Sequence, residues 1–459
     1  MKMKINRNIN KFIFRGYDIR GVYGKDLDSD IAYTIGKSFG SYVRNLGKKC
    51  AVVGRDNRYS SDTLALSLIE GILSTGIDVI NLGLVTTPMY YYACIKLNNP
   101  TGVMVTASHN PKDDNGFKFA FDERGNARGE MIEEFRDFTY NAPFYSGNGK
   151  LSTYDIREEY IELFKKSLDF GSRRVKVVLD PGNGTTTIIA KELYEMFPID
   201  LEVIFGDSDP SFPNHHPDPC VESNLESLKK KVLELNYDIG IAFDGDGDRV
   251  GIIDEKGNFI ATDKYMIMII RDIINKVSKK EFLYDVKCTK ALEDEIKKLG
   301  GKPICYRTGN SYTKAKVLEN NLPFGGELSG HVYFNERFPG FDSGLYAGLR
   351  LVEILSKTDK SVRHLLEGIN EYFSTEEIKI SCPDDKKFIV VDKVKEYALS
   401  KNYDVLLVDG VRANFDFGWA LVRASNTGPN ITARFEANTK EKLEMLKEEF
   451  ITLVNSLNS

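Results

Sequence analysis

The sequence predicts an α/β protein of several domains. Three apolar, strand-like runs end in Gly/Asp-rich turns: CAVVGRDNR at 50–58, VKVVLDPGNG at 175–184 and DIGIAFDGDGDR at 238–249. The first two runs are followed by segments in which apolar residues recur every three or four positions, as on one face of a helix. A repeated order of strand, turn and helix is typical of α/β layers with parallel strands. Since 459 residues are too many for one hydrophobic core, several domains are expected.

The last part of the chain predicts a smaller α+β domain. KFIVVDKVKEY and YDVLLVDGVRANFDFGWALVRAS read as strands and a hairpin, and TKEKLEMLKEEFITLVNSL reads as the closing helix. Domain boundaries are expected near 141–155, 252–263 and 371–387, where turn-forming residues cluster.

Composition and charge disfavour several classes of protein. A net charge of −5 argues against nucleic-acid binding, which usually needs a basic face. The N-terminus has no apolar signal region, and the most apolar stretch, at 266–270, ends at Arg271, so neither secretion nor membrane insertion is expected. The six cysteines form no C-x-x-C pair, which indicates reduced thiols in the cytoplasm.

VTASHNPKDDNGFKF, at 105–119, places Ser108 on a loop. Pro111 lacks an N–H and disfavours the helical region for Asn110, so no helix can continue through the segment. The apolar run before the loop reads as a short buried strand, and α/β proteins place their chemistry at strand ends. A surface turn serine is the alternative interpretation.

DGDGDR, at 244–249, is the sharpest local signal. Asp244, Asp246 and Asp248 alternate with glycines that let the backbone curl, so their oxygens can converge on a hard divalent cation such as Mg²⁺ or Ca²⁺. An EF-hand would have Glu255 at its twelfth position, but Arg249 stands where its sixth position needs Gly, and the flanks are strand-like. A solvated acidic turn is the other alternative.

Two further loops carry polar groups suited to a sugar phosphate. PFGGELSGHVYF places Glu327, Ser329 and His331 at alternate positions, where carboxylate and hydroxyl groups can hold vicinal sugar hydroxyls. RASNTGPN, at 423–430, offers a guanidinium, two hydroxyls and an amide that can surround a phosphate. A Gly-rich hairpin and an ordinary turn are the alternatives.

Taken together, these loops resemble the α-D-phosphohexomutase superfamily, and most closely its bacterial phosphomannomutase/phosphoglucomutase branch. The resemblance also covers FRGYDIRG, GRDNRYSS, LDPGNGTT, FPNHHPDP, DVKCT and NERFPGFDSG, in order along essentially the whole chain. It implies four domains around a central cleft, three related α/β domains with mixed sheets and a C-terminal α+β domain. The implied domains are 1–154 with the phosphoserine loop, 155–257 with the metal loop, 258–372 with the sugar loop and 373–459 with the phosphate loop.

The resemblance implies a mutase that interconverts hexose 1-phosphate and hexose 6-phosphate, of mannose, glucose or both. Ser108 matches the phosphoserine, which with the three aspartates would bind Mg²⁺. The phosphoserine would convert the substrate to a hexose 1,6-bisphosphate, also the expected activator, which must turn end for end in the site. Lys118, His109 and Arg20 match the other catalytic positions. The expected partners are phosphorylated hexoses, with no nucleic acid or membrane, and we expect a monomer in the cytoplasm.

The implied substrate-binding positions fall in all four domains. Glu327 and Ser329 would hold the 3- and 4-hydroxyls, and the 423–427 loop would hold the phosphate that does not react. The full set is Tyr17, Arg249, Lys287, Thr308, Gly309, Glu327, Ser329, His331, Arg423, Ser425, Asn426 and Thr427.

Two positions separate this chain from relatives. Asn310 stands where close relatives carry His, so a proton-transfer role is not expected there, although an amide can still bind a sugar. Leu328 stands where the glucosamine-phosphate branch carries Gln, which favours glucose and mannose phosphates. Phosphoglucosamine mutase and a catalytically silent sugar-phosphate-binding protein remain the alternatives. A phosphatase with an aspartyl nucleophile fits poorly, since Asp248 replaces the Thr or Val of its motif.

Overall fold

The computed structural model describes residues 3–425 and 428–458. Its α-helices are α1 (Ser29–Asn45), α2 (Ser61–Leu73), α3 (Thr87–Lys96), α4 (Glu130–Asn141), α5 (Arg157–Ser167), α6 (Ala190–Glu195), α7 (Glu226–Leu235), α8 (Thr262–Ile273), α9 (Lys290–Lys298), α10 (Asn310–Glu319), α11 (Gly344–Ser356), α12 (Lys387–Ser400) and α13 (Lys440–Asn458). Its strands are β1 (Ile19–Val22), β2 (Cys50–Arg55), β3 (Asp78–Leu84), β4 (Gly102–Val105), β5 (Asp114–Ala120), β6 (Leu151–Thr153), β7 (Val175–Asp180), β8 (Ile199–Val203), β9 (Ile239–Phe243), β10 (Val250–Asp254), β11 (Phe259–Ile260), β12 (Glu281–Asp285), β13 (Lys302–Tyr306), β14 (Phe324–Gly326), β15 (Val332–Phe334), β16 (Phe373–Ser374), β17 (Ile378–Ser381), β18 (Asp404–Leu406), β19 (Val411–Phe415), β20 (Gly418–Ala424) and β21 (Asn430–Ala437).

The chain divides into two compact units. The first comprises residues 1–262, 314–321 and 329–365, and the second comprises residues 263–313, 322–328 and 366–459. The predicted class, α/β with mixed sheets and a C-terminal α+β part, is confirmed.

The first unit contains two mixed sheets. In one, the strand order is β1-β5-β4-β2-β3-β6, with β5 antiparallel to both neighbours and the remaining pairs parallel. In the other, β8, β7 and β9 are parallel, while β10 and β11 continue the sheet antiparallel. The strand-like runs at 50–55, 175–180 and 239–243 are therefore neighbours of parallel strands, as predicted.

The second unit contains parallel strands β13, β12 and β14, and an antiparallel sheet in which β21 pairs with β16, β17 and β20. Strands β18, β19 and β20 complete that sheet. The prediction of a strand at KFIVVDKVKEY is wrong, because this segment opens helix α12. Its buried residues Val390, Val391, Val394 and Ala398 recur at helical spacing and pack into the core of the antiparallel sheet, which outweighs the strand preference of valine.

No helix among the described residues is long and apolar enough to cross a membrane.

Candidate active site

Ser108 lies on the loop after β4, as predicted, and its backbone is strained. Its φ of +51° lies in the left-handed region, which side chains other than glycine rarely adopt. The hydroxyl of Thr106 accepts a 2.9 Å hydrogen bond from the Ser108 amide. Ser108 is only 2% exposed, so its hydroxyl is shielded from solvent.

Arg58 holds this loop in place and was not predicted as a site residue. Its buried guanidinium donates to the backbone carbonyls of Ser108 at 2.8 Å, Asn110 at 2.6 Å and Pro111 at 2.6 Å. Five guanidinium N–H groups suit such multiple donation. The only sequence signal was its place in the GRDNRYSS segment, which does not show what the side chain contacts.

The predicted metal loop joins β9 to β10, and its three aspartates are fully buried. Oδ2 of Asp244 accepts a 2.6 Å hydrogen bond from the hydroxyl of Ser108. Gly245 makes this approach possible, because a Cβ at that position would lie 2.5 Å from the Ser108 carbonyl oxygen. The structure therefore brings the predicted phosphoserine and the predicted metal ligands into direct contact.

Lys118, on β5, supplies a positive charge to the same cluster. Its Nζ lies 2.9 Å from Oδ2 of Asp246 and 2.7 Å from Oδ2 of Asp248. Burial by itself would lower the pKa of Lys118, but the charges of Asp246 and Asp248 outweigh it and raise the pKa well above the ordinary value. The ammonium is therefore retained in the folded protein.

The donor set fits a divalent cation. The carboxylate oxygens of Asp244, Asp246 and Asp248 lie within 4.8 Å of one another. Oδ1 of Asp246 and Oδ1 of Asp248 are buried and accept no hydrogen bond from any residue that the structure describes. Burial and the charges of the other two aspartates raise the pKa of Asp244 well above its ordinary value. Unpaired buried oxygens and mutual repulsion are both relieved when a cation binds.

His109 and Arg20 also lie at this cluster. Nδ1 of His109 is 3.2 Å from the Ser108 hydroxyl. Burial and the nearby charges of Arg249 and Arg20 lower the pKa of His109 well below its ordinary value, so the ring is neutral at pH 7. Nε of Arg20 forms an ion pair with Asp18 at 2.8 Å. The Arg20 guanidinium is also close enough to Asp246 for their charges to interact.

His331 links the metal loop to Asp342, which was not predicted as a site residue. Its Nε2 accepts a 2.9 Å hydrogen bond from Nε of Arg249, and its Nδ1 is 2.8 Å from Oδ2 of Asp342. The same Nδ1 lies 3.5 Å from Oδ1 of Asp248. Asp342 belongs to the FDSG part of a quoted segment, but only the folded chain shows that it orients His331.

The second unit pairs Gly309 with Glu327, and Thr308 with Arg423 through a shared aspartate. Glu327 accepts hydrogen bonds from the Gly309 amide, at 3.2 Å, and from the Thr313 hydroxyl. Asp409, which was not predicted, accepts from the Thr308 amide and pairs with Nη2 of Arg423, both at 3.1 Å.

For the other predicted residues, only the local position is described. Lys287 follows β12, and its amide donates to Asp285 at 3.2 Å. Asn310 is the buried first residue of α10. Tyr17 and Ser329 are half-buried loop residues of the first unit. Ser425 follows β20, whereas Asn426 and Thr427 lie outside the described residues.

Comparison with known proteins shows the family of this chain. Family models for phosphoglucomutase/phosphomannomutase match in order: alpha/beta/alpha domain I at 11–145, domain II at 158–257, domain III at 261–372 and the C-terminal domain at 377–453. A phosphomannomutase/phosphoglucomutase of Pseudomonas aeruginosa is 39% identical over 97% of this chain and 96% of its own. A phosphoglucomutase of Neisseria meningitidis is 37% identical over 98% of each chain.

Among solved structures, a phosphoglucomutase/phosphomannomutase family protein from Burkholderia thailandensis superposes with a TM-score of 0.90, at 35% identity over 98% of each chain. The four domain models matched in order, together with full-length relatives named phosphomannomutase or phosphoglucomutase, define the chain as a phosphohexomutase. The chain belongs to the phosphoglucomutase/phosphomannomutase family.

Proposed function

We propose that this phosphohexomutase interconverts the 1- and 6-phosphates of glucose and mannose through a phosphoserine at Ser108. The observation that carries the proposal is the 2.6 Å contact between the Ser108 hydroxyl and Asp244, within a buried cluster of three carboxylates and one ammonium. A nucleophile held against a candidate metal site suits phosphoryl transfer, which depends mainly on alignment and charge stabilisation.

Asp244, Asp246 and Asp248 would hold Mg²⁺. When bound, this ion neutralises charge on a phosphoryl group carried by Ser108. The chain's own contribution is to fix that group: Arg58 and Thr106 position the Ser108 backbone, and Lys118 adds a positive charge to the cluster. His109 and Arg20 supply further polar and positive groups to the same place.

In the proposed reaction, the 6-hydroxyl oxygen of a hexose 1-phosphate forms a bond to phosphorus as the bond from phosphorus to the Ser108 oxygen breaks. The hydroxyl proton passes to the departing Ser108 oxygen, which restores the serine hydroxyl, and the product is a hexose 1,6-bisphosphate. The bisphosphate then turns end for end, and its original phosphate passes to Ser108 to release the 6-phosphate. A bisphosphate that escapes must be replaced, which is why added hexose 1,6-bisphosphate should act as an activator.

The sugar would be held by groups that serve both orientations. We assign the 3- and 4-hydroxyls to Glu327 and Ser329, and the phosphate that does not react to Arg423, Ser425, Asn426 and Thr427. We assign Tyr17, Arg249, Lys287, Thr308, Gly309 and His331 to the remaining contacts with the substrate. Because none of these assignments requires the 2-hydroxyl, where glucose and mannose differ, one site could serve both sugars.

The proposal also covers the domain boundaries, the oligomeric state and the cellular compartment. The domains would be 1–154, 155–257, 258–372 and 373–459, in a monomer that works in the cytoplasm. All six cysteines are free thiols, which suits a reducing compartment.

A coupled assay with purified protein tests the proposal. Glucose 1-phosphate and mannose 1-phosphate are offered in parallel, with Mg²⁺ and a trace of glucose 1,6-bisphosphate. Both 6-phosphates should form, and Ser108→Ala should lose the activity. Ser167→Ala is the matched control, since the hydroxyl of this buried serine donates to the Leu163 carbonyl within its own helix. Turnover of glucosamine 6-phosphate alone would reassign the substrate, and binding without turnover of any sugar would overturn the proposed activity.

A further inference from the structure

A buried lysine outside the proposed substrate site binds two backbone carbonyls of the segment between β20 and β21. Lys387 is the first residue of α12 and is 6% exposed. Its Nζ donates to the carbonyl oxygen of Ser425 at 2.7 Å and to that of Gly428 at 3.2 Å. These two carbonyls flank the centre of the proposed phosphate-binding loop.

The third contact of the ammonium is a carboxylate. Oδ1 of Asp384 lies 2.7 Å from Nζ, although the Asp384 side chain is 60% exposed. With this contact, each of the three N–H groups of Lys387 has an acceptor.

The position is an unfavourable one for a lysine in two respects. Burying an ammonium costs free energy unless its charge is compensated. The N-terminus of a helix carries partial positive charge, which disfavours a cation there, and the first turn of α12 contains no acidic residue. The Asp384 carboxylate and the two carbonyls, whose oxygens carry partial negative charge, compensate the ammonium, and the ammonium in turn fixes the two carbonyls.

Fixing these carbonyls matters for an anion. A carbonyl oxygen turned toward a phosphate repels it, whereas amide and hydroxyl donors attract it. With their oxygens bound to Lys387, the Ser425 and Gly428 carbonyls are kept off the anion, and these two residues do not have to be fixed when the substrate binds.

We infer that Lys387 is a positioning residue for phosphate binding: it acts through Ser425 and Gly428 rather than by touching the substrate. The inference rests on the proposed function, because it requires the 423–427 loop to bind a hexose phosphate. A loosened loop would also release the bisphosphate more often before it has turned.

The test compares Lys387→Met and Lys387→Arg with the wild type. Lys386→Met is the matched control, since the neighbouring lysine donates to the Asn458 carbonyl instead. The measurements are KM and kcat for glucose 1-phosphate, its Kd by calorimetry, and the concentration of glucose 1,6-bisphosphate that gives half-maximal activity. Circular dichroism and thermal melting check that each variant is folded.

Lys387→Met should raise KM and Kd about tenfold, as expected for the loss of a charged hydrogen-bond donor, and should leave kcat much less affected. Its requirement for bisphosphate should rise in parallel. Lys387→Arg should recover part of the affinity, and Lys386→Met should match the wild type.

A folded Lys387→Met protein with wild-type KM, Kd and bisphosphate requirement would overturn the inference while leaving the mutase activity in place. If Lys387→Met does not fold, Lys387→Gln, which keeps a neutral donor, takes its place with the same expected directions. A wild type with no mutase activity would instead remove the proposed function, and the inference with it.

Discussion

The hydroxyl of Ser108 donates a 2.6 Å hydrogen bond to Oδ2 of Asp244, although 136 positions separate the two residues in the chain. The contact joins two loops that follow strands of different sheets, one loop after β4 and the other after β9. It places the proposed phosphoryl carrier beside the proposed metal ligands.

The backbone at Ser108 should be strained independently of its chemistry. Because φ is +51°, alanine keeps the strain and glycine relieves it. Ser108→Gly should therefore be more stable than Ser108→Ala by about 1 kcal/mol, although both should be inactive. Thermal melting of the two proteins measures the difference. Equal melting temperatures would show that the loop relaxes in at least one variant.

Lys118 should restrain the mutual repulsion of the aspartates. Lys118→Met removes the ammonium that contacts Asp246 and Asp248, and breaking a buried ion pair in this way costs about 3–5 kcal/mol. Melting in EDTA should show the loss. Since the variant site is more negative, added Mg²⁺ should raise its melting temperature more than that of the wild type. Lys191→Met, at a lysine whose side chain is 68% exposed, is the control, and equal Mg²⁺ shifts in all three proteins would contradict this prediction.

Glu327 should serve glucose and mannose equally. Glu327→Gln removes the carboxylate that would accept from the 3- and 4-hydroxyls, which the two sugars share. KM should rise about tenfold or more for both 1-phosphates, and the ratio of their kcat/KM values should not change. Glu319→Gln, at an exposed carboxylate, should leave both substrates unaffected. A changed ratio would mean that Glu327 senses the 2-position.

Lys314 should make stability depend on pH. Burial lowers its pKa to about 8 despite the opposing charge of Asp342, with Lys118, Asp248 and Cys94 also nearby. Below pH 8 the lysine is charged in both folded and unfolded chains, and the full cost of burying the charge is present. Between pH 8 and the unfolded value of 10.5 the unfolded chain binds more protons, so stability rises with pH, by up to about 3 kcal/mol.

Melting of the wild type and Lys314→Met from pH 7 to pH 10 measures this effect. The difference between the two proteins should shift in favour of the wild type as pH rises above 8. Because Lys314→Met also removes the Nζ contacts with Asn126 and with the Tyr91 ring, the test uses the change in this difference with pH rather than its size at any one pH. A difference that does not change with pH would contradict the lowered pKa.

Short-range patterns in the sequence were sufficient to predict most of the individual strands, helices and turns discussed here. Strand-like runs, the helical spacing of α2 and the turns around Pro111 and Asp244 depend on neighbouring residues, and the structure places them as predicted. KFIVVDKVKEY is the exception, because the buried face of α12 overrode the strand preference of its valines. That preference is a local property, whereas the buried face exists only once the sheet has formed.

The sequence by itself thus determined which residues could carry the chemistry: a serine on a constrained loop, three aspartates spaced by glycines, and a loop suited to phosphate. Only the tertiary structure decided what they contact. The contacts of Arg58 with Ser108, of Asp342 with His331 and of Lys387 with Ser425 have no local signature, because they join residues 50, 11 and 38 positions apart. Such contacts depend on how sheets and helices pack, which the spacing of residues along the chain does not specify.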